Sequence, residues 1–245
     1  MQCVILAGGL GTRMRPLTES APKTLLPVGG VPFAHYQLTW LAGHGVTEVV
    51  YCIAVLGEQV RAYAGDGARW GLRVRYVEDG EELLGTAGAL RKALDAGLLH
   101  DWFLVLYGDS FLPLDFRLLG RAFLAQDWPA LMAVYANRGR YDAGNVRYSG
   151  GVVHLYRKAA RGEQSPPGMD YIDYGVSALR ARLVAERIPA GRKGDLAELY
   201  HTLSVEGLLG GFEVTERFYE IGSPAGLRDF EAWAECHPTQ TWASL

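Results

Sequence analysis

The chain has 245 residues, of which 49% are hydrophobic and 21% are charged. This composition is typical of a globular protein with a sizeable core, and the length fits one large domain. The formal net charge of −3 at pH 7 argues against a nucleic-acid binder that relies on bulk positive charge.

Targeting and redox features point to a cytoplasmic protein with no membrane partner. A membrane span needs about 20 consecutive apolar residues, and the longest apolar runs, at 49–56 and 102–107, are much shorter. No basic and apolar leader pattern follows Met1, so we expect no signal peptide. Cys3, Cys52 and Cys236 are far apart and show no CxxC spacing, which favours reduced thiols.

Apolar and amphipathic segments alternate along the first half of the chain. Nearly every residue of each short apolar run is hydrophobic, as in strands that are buried on both faces of a parallel sheet. Helical spacing separates these runs, and Pro32 suits a first helical position. The pattern predicts an α/β fold with a doubly wound, mostly parallel, Rossmann-like sheet. The predicted strands are 2–7, 48–54, 72–77, 102–107 and 130–136, and the predicted helices are 32–41, 87–98 and 115–125.

The pattern changes after residue 140, where short strand-like segments and polar turns predominate. We expect a smaller β-rich layer there, which forms the second wall of a cleft. No linker separates it, so residues 1–245 form a single domain with halves 1–140 and 141–245. Strands are predicted at 144–146, 151–156, 171–179, 212–215 and 217–221, and helices at 195–206 and 224–235.

A glycine loop directly follows the first predicted strand. Three glycines stand within residues 8–11, and Arg13, Arg15 and Lys23 follow. Glycines let backbone N–H groups approach an anion closely, and the cations add charge-assisted hydrogen bonds, which suits a triphosphate. The GGxG spacing fits neither the dinucleotide motif GxGxxG nor a P-loop. The plain alternative is a surface loop with solvated basic residues.

Asp109 follows the predicted strand 102–107 after a single glycine. Ligands of open parallel sheets bind at the carboxyl ends of the strands, so this topology places Asp109 at the binding cleft. A carboxylate there can hold Mg²⁺, which prefers one or two carboxylates together with phosphate oxygens. The alternative is an aspartate that bonds its own backbone in a turn.

Residues 6–28, LAGGLGTRMRPLTESAPKTLLPV, resemble the signature of the sugar-1-phosphate nucleotidyltransferases, G-G-x-G-T-R followed by P-x-T, P-K and P-V. Within this family the chain is most similar to short single-domain members, such as heptose-1-phosphate guanylyltransferases and the uridylyltransferase that acts on N-acetylmuramic acid phosphate. The likeness continues in order at LGTAGAL (84–90), GD (108–109), YIDYG (171–175) and FYEIGSP (218–224).

The resemblance implies that a sugar 1-phosphate attacks the α-phosphorus of an NTP and that pyrophosphate leaves. The attacking phosphate has a second pKa of about 6 and is largely dianionic at neutral pH, so the reaction needs positioning and charge neutralisation rather than a general base. By resemblance, Arg13 binds the β- and γ-phosphates, Lys23 stabilises the transferring group, and Mg²⁺ is held by Asp109. The first half of the chain then binds the nucleotide and the second half binds the sugar. The implied nucleotide-binding residues are Leu6, Ala7, Gly8, Gly9, Gly11, Thr12, Glu78, Gly85, Thr86 and Ala87.

The family's second metal carboxylate is usually the aspartate of a W-D-I-G-T-like motif, and Glu220 stands at this position here. Because glutamate has one more methylene group, three alternatives are open. Glu220 binds the metal directly, binds it through water, or has lost this role.

Four of residues 78–82 are acidic, just ahead of the LGTAG motif where the family reads the base. A carboxylate accepts hydrogen bonds from N1–H and N2–H₂ of guanine, whereas pyrimidine users often carry glutamine there, so we expect GTP. Glu78 is the first choice for this role, and Glu81 and Glu82 are the alternatives. The run is also typical of a solvated turn, and uracil remains open.

For the sugar, the resemblance assigns Gly144, Asn145 and Asp173 to the pocket wall and Lys158 to the sugar phosphate. Arg157 stands where the family carries a glutamate, and no proline follows Lys158. We expect a heptose- or mannose-type sugar whose product enters cell-envelope glycan synthesis. Uridylyl, thymidylyl or cytidylyl transfer, an acceptor such as phosphocholine, and a non-catalytic nucleotide-sugar sensor remain alternatives. The oligomeric state cannot be read from the sequence.

Overall fold

The computed structural model describes residues 1–80, 82–141, 143–158 and 166–238. The strands are β1 (Gln2–Leu6), β2 (Pro27–Val28), β3 (Val31–Pro32), β4 (Glu48–Ile53), β5 (Arg73–Glu78), β6 (Trp102–Tyr107), β7 (Ser110–Phe111), β8 (Ala130–Tyr135), β9 (Val146–Ser149), β10 (Val152–Tyr156), β11 (Ile172–Arg180), β12 (Leu209–Val214) and β13 (Tyr219–Glu220). The helices are α1 (Phe33–Gly43), α2 (Gly57–Ala64), α3 (Gly85–Asp95), α4 (Phe116–Leu124), α5 (Ala181–Arg187), α6 (Leu196–Val205) and α7 (Pro224–Cys236).

Within the described ranges, nine strands form the central sheet in the order β5-β4-β1-β6-β11-β8-β12-β10-β9. The first four are parallel neighbours, and β11 runs antiparallel between β6 and β8. Strand β12 is parallel to β8, whereas β10 and β9 form an antiparallel edge. This arrangement confirms the predicted fold class.

Helices cover both faces of the sheet. Side chains of a strand alternate between its faces, so Cys3 and Ile5 of β1 join one hydrophobic core, whereas Val4 and Leu6 join the other. Helices α1, α2, α4 and α7 contribute to the first core, and α3, α5 and α6 contribute to the second. None of the described helices combines the length and the apolar character that crossing a membrane requires.

The strands of the second half extend the central sheet, since β11 pairs with β6 and β12 pairs with β8. The expected β-rich layer is therefore continuous with the sheet, and this pairing satisfies the backbone groups of its strands. The cleft lies at the carboxyl ends of β1 and β6, whose last residues line it. Strands β7 and β13 form a separate two-stranded ladder beside it.

Two helices were absent from the sequence prediction. Helix α2 has eight residues, and only Gly57, Val60 and Ala64 are buried, so it presents almost no apolar stripe. Helix α5 has seven residues and buries only Leu183 and Val184. Packing against the sheet stabilises such short helices more than their own propensity does.

Candidate active site

The turn that carries Asp109 follows β6, as the sequence predicted. The Asp109 carboxylate accepts a hydrogen bond from Lys23 Nζ over 2.6 Å, and both side chains are about one-fifth exposed. The Thr24 hydroxyl donates to the carbonyl of Gly108 over 2.9 Å. The segment after the glycine loop is thereby attached to this turn twice, through one ion pair and one neutral hydrogen bond.

The ladder between β7 and β13 brings Glu220 to Asp109. Glu220 pairs with Ser110 across the ladder, and the Ile221 amide donates to the Asp109 carbonyl over 2.9 Å. Ser223 then accepts from the Gly226 amide over 3.1 Å and caps the N-terminus of α7. The backbone thus leaves the ladder in a fixed direction.

Arg13, Asp109 and Glu220 converge on Gly222. A Cβ placed on Gly222 would lie 2.9 Å from Arg13 Nη2, 3.3 Å from Asp109 Oδ2 and 3.3 Å from Glu220 Oε2. Only glycine leaves this space open, because any side chain would have to displace the functional groups themselves. Two carboxylates and one guanidinium therefore face one point.

The donor set at this point fits Mg²⁺. It offers carboxylate oxygens from Asp109 and Glu220, and phosphate oxygens of substrates and water complete such sites. Among the described residues, no group of three or more His, Cys, Asp or Glu could hold a metal ion by itself. A two-carboxylate site that relies on substrate phosphates is thus the kind of site the described residues can form.

The glycine loop has a geometry that requires glycine at position 11. Gly11 has a φ of +61°, and a Cβ there would lie 2.8 Å from Thr18 Cγ2. The Thr18 hydroxyl also donates to the Gly11 carbonyl over 2.8 Å. Gly11 is buried and Thr12, which begins the short turn Thr12–Met14 that carries Arg13, is exposed. Neither residue lines the two cavities described below.

A cavity of about 330 Å³, called here the smaller pocket, lies against the glycine loop. Its walls combine loop backbone with apolar side chains, and the charged residues Lys23 and Asp109 also line it. Of the predicted nucleotide-binding residues, the structure brings six to this pocket: Leu6, Ala7, Gly8, Gly9, Gly85 and Thr86.

A wider cavity of about 1150 Å³, called here the larger cleft, adjoins it. Arg13, Glu220 and the predicted sugar-side residues Asn145, Lys158 and Asp173 line it, whereas Gly144 does not. The two cavities share the residues at their junction, which are Gly85, Thr86, Tyr107, Asp109 and Lys193. Asp109 therefore stands where a ligand in one cavity would meet a ligand in the other.

Asp195 joins the N-terminus of α3 to Lys158 in the wall of the larger cleft. Its carboxylate accepts from the Thr86 hydroxyl over 3.1 Å and from Lys158 Nζ over 2.5 Å. Burial raises the pKa of Asp195, but the Lys158 bond and the amide of Ala197 outweigh it and hold that pKa below its usual range. The Ala87 amide is bonded to the Gly194 carbonyl over 3.0 Å, so Ala87 supports the α3 terminus and does not line either cavity.

Asp173 lies half-buried beside a bulge in β11. Its carboxylate accepts from the Gly175 amide over 2.9 Å, and its own amide donates to the Asn145 side-chain oxygen over 2.9 Å. Burial raises the pKa of Asp173 to about 6, and the Gly175 bond opposes this only in part. These bonds fix the direction of an acceptor group in the wall of the larger cleft.

The structure corrects the prediction for Glu78. Side chains at successive strand positions point in opposite directions, and Glu78 points outward to an ion pair with Arg61 at 2.6 Å. The next residue, Asp79, lines the smaller pocket and accepts from the Leu84 amide over 3.0 Å. Burial raises the pKa of Asp79. Glu82 is exposed and lines neither cavity, and Glu81 lies outside the described residues.

Sequence reasoning missed Asp79, Lys193 and Asp195. Asp79 belongs to the acidic run that the sequence singled out, one position after Glu78, and it is the member of that run that lines the smaller pocket. Asp195 was detectable as a helix N-cap, since it precedes a helical stretch and accepts from the Ala197 amide over 3.0 Å. Lys193 is exposed in a short turn, and nothing in the local sequence distinguishes it from a solvated lysine.

A family model of nucleotidyl transferases matches residues 2–144. The mannose-1-phosphate guanylyltransferase of Mycobacterium tuberculosis is 30% identical over 234 residues, which is 91% of this chain and 62% of that protein. The N-acetylmuramate alpha-1-phosphate uridylyltransferase of Neisseria meningitidis is 41% identical over 116 residues, which is 47% of this chain and 50% of that protein. The chain belongs to the nucleotidyl transferase family.

The same comparisons also set the extent of the likeness. The matched regions cover 32%, 50% and 62% of the first curated relatives. The solved structure of the inositol-1-phosphate CTP transferase from T. maritima superposes with a TM-score of 0.76 at 21% identity, over 96% of this chain and 94% of that one. At this identity the superposition shows a shared fold.

Proposed function

We propose that this protein transfers a nucleotidyl group from an NTP to a sugar 1-phosphate and releases pyrophosphate. The observation that carries the proposal is the convergence of Arg13, Asp109 and Glu220 on Gly222. This point adjoins the junction of two cavities, as a reaction between two bound phosphates requires. Family membership supports the same reaction class.

Separate groups of residues hold the two anionic substrates in line for the reaction. Backbone N–H groups of the glycine loop and the Arg13 guanidinium bind the NTP phosphates, and Lys23 offsets charge near the transferring group. Lys158 and Lys193 approach the cleft from the sugar side. Mg²⁺ held by Asp109 and Glu220 supplies charge neutralisation for the phosphates when it is bound.

We further propose that Asp79 reads a guanine base. The curated relatives are named for both guanylyl and uridylyl transfer. The assignment of the base therefore rests on the chemistry of the smaller pocket. An ionised carboxylate only accepts hydrogen bonds, and guanine presents two neighbouring donors at N1 and N2. Asp79 lines the smaller pocket, and its contact with the Leu84 amide fixes its direction.

For the acceptor, we propose a mannose- or heptose-type 1-phosphate. The guanylyltransferase that matches 91% of this chain is named for mannose 1-phosphate. Asp173 and Asn145 provide oriented polar groups for sugar hydroxyls in the larger cleft. Lys158, held by Asp195, provides the cation for the sugar phosphate.

The test is pyrophosphate release by the purified protein with Mg²⁺, with each of five NTPs crossed against a panel of sugar 1-phosphates. We expect release with GTP and a manno-configured sugar phosphate. Release with UTP, dTTP or CTP alone would refute the guanine assignment and retain the reaction class. No release with any pair, in the presence of measurable nucleotide binding, would contradict the transferase proposal.

A further inference from the structure

Each backbone carbonyl of residues 107–110, called here the Asp109 turn, accepts a hydrogen bond from another part of the fold. The Gly108 carbonyl accepts from Thr24 and the Asp109 carbonyl accepts from Ile221. The two outer carbonyls, of Tyr107 and Ser110, both accept from the side chain of Gln37 in α1, over 3.0 and 2.6 Å. One side chain therefore spans the turn that carries the carboxylate.

The orientation of the Gln37 amide follows from its partners. Both neighbouring groups are carbonyl oxygens, which only accept, so the nitrogen and not the oxygen must face them. Gln37 is 2% exposed on a helix that otherwise buries apolar and aromatic residues. Among the described atoms, its own side-chain oxygen is buried without a hydrogen-bond partner. An apolar residue would avoid this penalty, but it would leave the carbonyls of Tyr107 and Ser110 without these two hydrogen bonds. The buried amide therefore serves to hold the turn.

The two hydrogen bonds from Gln37 connect α1 to both proposed metal ligands. Ser110, held by Gln37, is the residue that pairs with Glu220 in the ladder between β7 and β13. The same amide thus fixes both the turn that carries Asp109 and the strand position opposite Glu220. Small rotations of the turn would separate the two carboxylates, and Mg²⁺ tolerates little departure from octahedral geometry.

We propose that Gln37 is a positioning residue for the metal site: its amide holds the Asp109 turn so that the Asp109 and Glu220 carboxylates face one ion. The proposal rests on the proposed function, because it assumes that these carboxylates bind Mg²⁺.

The test compares Gln37→Met, which keeps the length of the side chain and removes both donors, with Leu38→Val as a matched control. Leu38 is fully buried at the next position of the same helix, so its variant loses core packing and keeps the amide. Asp109→Asn serves as the reference for a lost ligand. Because substrate phosphates complete the site, the primary readout is the Mn²⁺ that each protein binds with GTP and without sugar phosphate, beyond the Mn²⁺ bound by the same GTP alone. The paramagnetic resonance signal of the free ion measures it. The second readout is the Mg²⁺ concentration for half-maximal pyrophosphate release.

We expect Gln37→Met to weaken Mn²⁺ binding by about tenfold, as is usual when a group that orients a metal ligand is removed, and to raise the Mg²⁺ requirement in parallel. Leu38→Val should lower the melting temperature and leave both metal constants within about twofold of the wild type. Metal constants equal to those of the wild type in Gln37→Met would overturn the proposal and make Gln37 a structural residue. If the wild type and Asp109→Asn bind Mn²⁺ equally, the metal assignment of the proposed function fails instead.

Discussion

Lys23 and Asp109 form an ion pair at the place where the proposed reaction needs both charges. The pair is only about one-fifth exposed, so it is less screened than a surface pair. Asp109→Asn removes the negative charge that pairs with Lys23 and one of the two proposed carboxylate ligands of Mg²⁺. We expect pyrophosphate release to fall by at least about 100-fold at every Mg²⁺ concentration. Near-normal turnover in a Mg²⁺ titration of this variant would remove Asp109 from the metal site.

The charge of Asp79 is the basis of the guanine assignment. Asp79→Asn keeps the oxygen that accepts from Leu84 and replaces the other acceptor by a donor, which faces the donors of guanine. We expect kcat/KM for GTP to fall by about 10- to 100-fold, which corresponds to the loss of one or two hydrogen bonds to a charged group. The control is Glu78→Gln, whose side chain points to Arg61 and whose GTP kinetics should stay within about twofold. Equal effects of the two variants would contradict the assignment.

Asp173 makes folding stability depend on pH. Burial raises its folded-state pKa to about 6, above the ordinary value of about 3.9. The folded state therefore holds this proton more tightly, and the associated stability is complete below pH 4 and is lost as the pH rises through 6. Asparagine stays neutral, so Asp173→Asn should be more stable than the wild type by about 1–3 kcal/mol at pH 7.5, with little gain at pH 4. Urea unfolding at both pH values measures this, and an equal difference at both would refute it.

At the scale of elements, helix α7 begins at Pro224, close behind Glu220, which belongs to the proposed metal site. Ser223 caps the helix, and its replacement by alanine should lower the free energy of unfolding by about 1 kcal/mol. The matched control is Asp115→Ala, which removes the N-cap of α4, where Asp115 accepts from the Arg117 amide over 3.0 Å.

The two cap variants should distinguish a loss of folding stability from a change in the Mg²⁺ requirement. Both should lose similar stability by urea unfolding, but only Ser223→Ala should raise the Mg²⁺ concentration for half-maximal activity, because only that cap adjoins Gly222 and Glu220. An unchanged Mg²⁺ requirement in Ser223→Ala would mean that α7 does not hold the metal site in place.

The long elements could be predicted from the sequence because their patterns are strong. The observed α1, α4, α6 and α7 begin and end within a few residues of the predicted bounds, as repeated apolar spacing indicates. The strand predicted at 217–221 contains β13, but β7 and its pairing with β13 could not be predicted, since a two-residue strand carries no periodic pattern. That ladder sets the position of Glu220, so the sequence could name the residue and could not give its relation to Asp109.

At the scale of the whole molecule, the site depends on parts of the chain that are far apart in sequence. Arg13, Asp109 and Glu220 come from the beginning, middle and end of the chain. The glycine loop and the sheet topology pointed to Arg13 and Asp109, whereas the family resemblance alone pointed to Glu220. Lys193 and Gln37 reach the site only through the packing of neighbouring elements. Single-sequence reasoning has no signal for such contacts, because they depend on which side chains the completed sheet and its helices bring together.

The most direct test of the account labels the attacking phosphate. A sugar 1-phosphate that carries ¹⁸O in its non-bridging phosphate oxygens is incubated with NTP, Mg²⁺ and the protein. The masses of the NDP-sugar and the pyrophosphate are then measured by mass spectrometry. If the sugar phosphate attacks the α-phosphorus at the junction of the two cavities, the NDP-sugar retains all of the label and pyrophosphate carries none. Pyrophosphate formed without NDP-sugar, or label found in pyrophosphate, would contradict direct transfer between two bound substrates.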